Sequence, residues 1–210
     1  MRKLLQRLTG GAKPEAEGGV ESTFFSTMFS ENVEGESVVS WSQRGAELGA
    51  QPFDAATGRA LFTQLWGADK HLAALDDQDL ERLSQFLQYV KLSPNREVVR
   101  QDEQGDYMVV VLEGTLAVDR LQPWGGRARL AEARAGDMLG EMSLLDAGAR
   151  FSACTTLTAC TLAVLDAQAL DRLMAEEPRL AAALLASLAR RLSLSLRQVS
   201  ARLGALLSRD

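Results

Sequence analysis

Histidine and cysteine are nearly missing from these 210 residues: there is one His, His71, and there are two Cys, Cys154 and Cys160. A disulfide-built fold or a Cys/His zinc site needs more ligands than that. A cysteine-held iron–sulfur cluster needs about four thiolates. A Ser-His-Asp or Cys-His triad has only His71 to run through. That residue lies in the polar stretch Asp69-Lys70-His71 and reads as a surface side chain. No apolar run approaches the roughly 18–20 residues of a membrane span; the longest are Met108 to Leu112 and the alanine-rich Leu180 to Ala186. The basic start (Arg2, Lys3, Arg7) leads into no hydrophobic region of a secretory signal, so the expected location is the cytoplasm. A net charge of −5 argues against nucleic-acid binding through a broadly basic surface.

What is present is a hydrophobic fraction of 46% beside a charged fraction of 24%, enough for one globular domain with a real core, with extensions. Residues 1–50 read as a largely disordered tail, rich in Glu, Gly and Ser. Two apolar islands interrupt it. Phe24-Phe25 with Met28-Phe29 has the spacing of a short helix that docks on something, and Val38-Val39 with Trp41 is the second.

Residues 51–70 read as a helical extension, with Asp54 as N-cap, Leu61, Phe62, Leu65 and Trp66 at helical spacing, and Gly67 as the stop. A second helix is expected from Asp76 or Asp77 to Pro94, with Leu80, Leu83, Leu87 and Val90 on one face. From Glu97 to Leu165 the period changes to two. Short strands are expected at Val98-Val99, Tyr107 to Leu112, Thr115 to Val118, Arg129 to Ala133, Cys154 to Leu157 and Thr161 to Leu165. Glu113-Gly114, Pro123 to Gly126 and Ala135-Gly136-Asp137 supply turns between them. Such a series suggests a small barrel or jelly roll.

Two helices close the chain, one over Ala167 to Glu176 and one from Pro178 to about Leu207. The second carries Leu185, Leu188, Leu192, Leu196, Val199, Leu203 and Leu206 close to a coiled-coil seam. A helix of about 30 residues is roughly 45 Å long, more than a small roll covers, so a homodimer through this seam is expected. Arg179, Arg190, Arg191, Arg197, Arg202 and Arg209 read as its solvated face.

Jelly rolls that house metal oxygenases line the barrel with two or three His, and the strands here have none. They have instead Gly136-Asp137, then Gly140-Glu141-Met142-Ser143-Leu144-Leu145, then Arg150-Phe151-Ser152. With Leu112-Glu113-Gly114 ahead of it, and Arg150 nine residues after Glu141, this stretch resembles the phosphate-binding cassette of the cyclic-nucleotide-binding domain family. The resemblance covers about residues 71–207. It implies an α+β fold: an antiparallel β-roll over residues 71–167 with its leading helix, flanked by N-terminal helices, with residues 168–210 as hinge and dimerisation helices.

The chemistry of the residues suits a cyclic phosphodiester. Gly140 lets backbone approach the ligand. A helical turn starting at Glu141 offers free N–H groups, with Met142 and Ser143 in its first positions. Arg150 brings a forked donor set to a single negative charge. The resemblance implies that Glu141 accepts the ribose 2′-hydroxyl. An ion pair between Glu141 and Arg150 is the plain structural alternative. For the base, the resemblance aligns Ser195 with the first of two hydroxyl positions on the long helix and Leu196 with the second; Ser195 is equally an ordinary surface serine. Phe151 departs from the family's small residue after the arginine, and either crowds the phosphate or points away; Ser152 follows it.

The resemblance therefore implies a non-catalytic receptor for cAMP or cGMP, with no prosthetic group, that passes a ligand-dependent movement of its C-terminal helices to an unidentified effector protein. In that movement Leu170, Leu173 and Met174 shift against Leu144 or Leu145. The catabolite-activator branch continues with a helix-turn-helix domain, and the sequence here ends at Asp210, so no direct DNA binding is expected. The alternative is a dimeric docking module with a degenerate pocket, for which Phe151 is the symptom.

Overall fold

A computed structural model describes residues 23–31, 38–68 and 75–208. In chain order the elements are α1 (Phe24–Glu31), α2 (Trp41–Leu48), β1 (Gln51–Pro52), α3 (Ala55–Gly67), α4 (Asp77–Ser84), β2 (Gln88–Leu92), β3 (Glu97–Val99), β4 (Tyr107–Glu113), β5 (Leu116–Leu121), β6 (Arg127–Ala133) and β7 (Met138–Leu139). They continue with α5 (Glu141–Asp146), β8 (Ala153–Thr156), β9 (Cys160–Asp166), α6 (Ala167–Glu176) and α7 (Pro178–Leu207).

The strands form two antiparallel sheets in the orders β1-β2-β9-β4-β7 and β3-β8-β5-β6. Alternation along β4 explains the layering. Tyr107, Val109 and Val111 point between the sheets, where they meet Val98, Leu116, Cys154 and Leu162. Met108, Val110 and Leu112 point the other way, into a second core built with Phe62, Leu80, Leu83, Leu170, Leu173 and Leu188. A strand apolar on both faces has lost its alternation, so Tyr107 to Leu112 reads as an unbroken apolar run. This α+β roll, with helices on the outer face of one sheet and a long last helix, is the architecture the sequence implies.

Three expectations need correction. The second helix stops at Ser84, and Gln88–Leu92 is a strand paired with β9, from Gln88 opposite Val164 to Leu92 opposite Cys160. Leu87 and Val90 continue the helical spacing by coincidence; Tyr89-Val90 prefers the pleated surface. Within the expected helical extension, Gln51–Pro52 pairs with β2 as a short strand before α3 begins at Ala55.

The expected tail is also not a tail where it is described. α2 is capped by Ser40 and closed by Gly49, and it drives Trp41 and Leu48 into the core between the sheets. α1 puts Phe25 and Phe29 into the outer core. Few apolar residues in a polar composition suffice when they are aromatic and reach a preformed core. His71 lies outside the described residues.

The hinge is compact. Asp166 ends β9 and caps α6, accepting the Ala169 N–H at 2.7 Å. Glu177 alone, at φ −133° and ψ 63°, separates α6 from α7, and Pro178 opens the long helix. The first turns of α7 bury Leu180, Ala181, Leu184 and Leu188 against the chain's own core. The seam therefore divides: Leu188 is covered within the chain, while Leu196, Val199, Leu203 and Leu206 are each more than half exposed. Among the described residues, no helix is long and apolar enough to cross a membrane.

Candidate functional site

The cassette forms because Gly140 takes φ +84°, a left-handed turn that a side chain disfavours. A Cβ there would also lie 2.6 Å from the Arg150 guanidinium. The turn releases the chain from β7 into α5, whose start has no side-chain cap. Its first N–H groups have no intrahelical partner. Gly140, Glu141, Met142 and Ser143 line one side of a cavity of about 150 Å³. Arg150, Phe151 and Ser152 line another side, with Val99, Val118 and Cys154 at the roll interior. Seven of the eight expected site residues therefore meet around one cavity; Ser195 does not, and is exposed on α7.

Arg150 is 2% exposed. Its Nη1 donates to the Gly140 carbonyl at 2.8 Å and its Nη2 to the Tyr107 carbonyl at 2.6 Å, and its guanidinium sits 4.5 Å from the centre of the Tyr107 ring. No described carboxylate forms an ion pair with it; the buried partner of Glu103 is Arg44. Burial presses its pKa down, opposed by Tyr107, Cys154 and the more distant acids Asp106 and Glu103. A guanidinium of this kind retains the charge and the donors that an anion would satisfy.

Glu141 does not pair with Arg150 in an ion pair. Burial raises its pKa, while its own backbone N–H, then Arg191, then Arg150 pull it down. Arg191 on α7 is half-buried and partnered, and is not merely part of a solvated face. Sequence reading missed it because its spacing on α7 matches the other arginines. Phe151 is 53% exposed, and its ring packs beneath the Arg120 guanidinium at 4.2 Å. Arg120 also donates to the Phe151 carbonyl. The ring thus lines the cavity while more than half of the residue stays exposed. Period two along β5 places Arg120 two positions beyond Val118, which lines the cavity, and that alternation was the available signal.

Leu144, at the centre of α5, packs in the same core as Leu170 and Leu173 of α6, with Leu145 and Met174 at its edge. Cassette and hinge therefore share one core. Among the described residues, no group of three or more His, Cys, Asp or Glu is placed to hold a metal ion.

Residues 89–177 match the family model of the cyclic nucleotide-binding domain, and the chain carries a domain of that family. It is 34% identical over 110 residues to a CRP-like cAMP-activated global transcriptional regulator of Mycobacterium tuberculosis, a match covering 52% of this chain and 49% of that protein. The chain spans about half the length of the curated relatives it matches. The N-terminal domain of a transcriptional regulator from Streptomyces coelicolor superposes with a TM-score of 0.56 at 31% identity, covering 62% of this chain and 94% of that one. A cyclic nucleotide-binding domain from Methylobacillus flagellatus shares the fold, with a TM-score of 0.65 at 23% identity over 73% of this chain and 85% of that one.

Proposed function

We propose that this protein is a non-catalytic receptor for cAMP or cGMP. Arg150 carries the reading: a guanidinium 2% exposed, without a carboxylate partner among the described residues, bordering a cavity beside an uncapped helical turn. A cyclic phosphodiester brings one negative charge and two exocyclic oxygens to that turn. Ser143 and Ser152 add hydroxyls. Glu141 accepts the ribose 2′-hydroxyl, in the field of Arg191 and Arg150, and Met142 and Phe151 line the cavity beside it. Ser195 remains available for the base only if α7 moves.

Ligand moves α5, and the core that Leu144 shares with Leu170 and Leu173 passes that movement to α6 and α7. The exposed stripe of Leu196, Val199, Leu203 and Leu206 pairs with the same stripe of a second copy in a parallel homodimer. An effector protein reads the movement in the cytoplasm. The M. tuberculosis relative's transcriptional role belongs to a protein of which this match covers under half.

The test is calorimetry on the purified chain with cAMP, cGMP and a cyclic dinucleotide, beside thermal unfolding with each. A ligand at 100 times its Kd stabilises the fold by about 2.7 kcal/mol. Absence of heat and of thermal shift with all three nucleotides leaves the docking-module reading in place.

A further inference from the structure

Arg150 is held from behind by a segment that lies outside the match to the nucleotide-binding family. The stretch Glu103–Tyr107 runs between them. On one side it meets the arginine: the Arg150 N–H donates to the Glu103 carbonyl at 2.9 Å, Nη2 donates to the Tyr107 carbonyl at 2.6 Å, and a Cβ at Gly105 would lie 2.7 Å from Nη2. On the other it meets the start of α2: Val39 bridges Gly105 and donates to the Gln104 carbonyl at 2.9 Å, and Arg44 pairs with Glu103.

Trp41 completes the arrangement. It is 4% exposed and stands edge-on to Tyr107, with ring centres 5.2 Å apart and planes at 63°. Tyr107 is fixed at its other end by its hydroxyl, which donates to the Val98 carbonyl at 2.6 Å. Its ring in turn carries the Arg150 guanidinium at 4.5 Å. A long side chain with no ion-pair partner stays in one rotamer only if its surroundings fix it. Here those surroundings are an aromatic face, two carbonyls and a glycine.

We infer that Trp41 is a positioning residue of the nucleotide site: through Tyr107 and the Glu103–Tyr107 stretch it sets the guanidinium of Arg150 against the phosphate. The inference rests on the receptor reading above. It makes the segment ahead of the family domain part of the ligand site, although Trp41 touches no ligand.

A double-mutant cycle on the full chain tests it, read by calorimetry with cAMP. Trp41→Ala weakens binding by about tenfold, because the cation loses the ring's fixed placement. Trp41→Phe restores most of the affinity. In an Arg150→Lys background, whose point charge does not stack, Trp41→Ala changes affinity by less than about twofold. An equal loss in both backgrounds, or unchanged affinity for a folded Trp41→Ala protein, overturns the inference while leaving the receptor reading intact. Failure of the wild type to bind cAMP overturns the receptor reading first. If Trp41→Ala does not fold, a Trp66→Phe, Trp124→Phe chain leaves Trp41 as its one indole. Its emission then responds to saturating cAMP with Arg150 present and does not with Arg150→Ala; an emission blind to cAMP in both overturns the inference.

Discussion

The carboxylate of Asp171 on α6 accepts both the backbone N–H of Ser26, at 2.9 Å, and its hydroxyl, at 2.6 Å. The same carboxylate accepts the Phe25 N–H at 2.8 Å. A side chain of the hinge helix thus satisfies the first donors of α1. Asp171→Ala removes that acceptor and leaves the donors in a partly buried place, a loss of about 1–3 kcal/mol in the docking of α1. Protease cleavage within residues 24–31 then becomes about ten- to a hundredfold faster, as followed by mass spectrometry. Unchanged cleavage means that the packing of Phe25 and Phe29 holds α1 by itself.

Arg150→Ala weakens cAMP binding by on the order of a hundredfold, since a charge-assisted bond to a buried anion contributes about 1.5–3 kcal/mol and the fork supplies more than one. The Gly140 and Tyr107 carbonyls also lose their donor. A fall in Tm accompanies the loss, and calorimetry beside thermal unfolding separates the two. Arg150→Lys recovers part of the affinity.

Glu141→Gln costs less, and it narrows the preference for cAMP over its 2′-deoxy analogue. Competition binding with the two nucleotides checks this. A preference unchanged by the substitution removes Glu141 from the ribose.

Leu196→Asp with Val199→Asp yields a folded monomer. Both side chains are exposed in the single chain, at 67% and 61%, so the charges disturb only what covers them from outside. Light scattering at micromolar concentration reads the change from two chains to one. A wild type already monomeric there sinks the dimer.

Burial pushes the Cys154 thiol up to about 12 from its ordinary 9.0. The folded chain therefore binds this proton more tightly than the unfolded one. Its contribution to stability is full below about pH 9 and is lost as pH rises through about 12, with a slope near 1.4 kcal/mol per pH unit. Urea midpoints at pH 8 and pH 10 fall more steeply for the wild type than for Cys154→Ala. In the native protein, thiol reagents label neither Cys154 nor Cys160, as both are buried.

The cassette was legible because its chemistry is local. Gly140, Glu141 and Arg150 lie within one turn and one loop, and spacing alone brings them together. Strands β4 and β9 were legible as apolar runs between turn residues. β2 was not, since Leu87 and Val90 satisfy a helical repeat that only the partner strand β9 overrides. Trp41 and Arg191 were beyond reach for another reason. What each does depends on Tyr107 and Glu141, residues distant in the chain, and no period or spacing encodes that meeting.

Glu177 gives the fold a mechanical character. One non-helical residue joins α6 to a helix about 45 Å long. A swing of about 10° there shifts the first two turns of α7 by less than about 2 Å, within what a packed core absorbs by small sliding. The far tip travels about 8 Å. The chain thus has the geometry of a lever with its fulcrum at Glu177, in which a small displacement near the pivot would arrive at the exposed leucines several times larger.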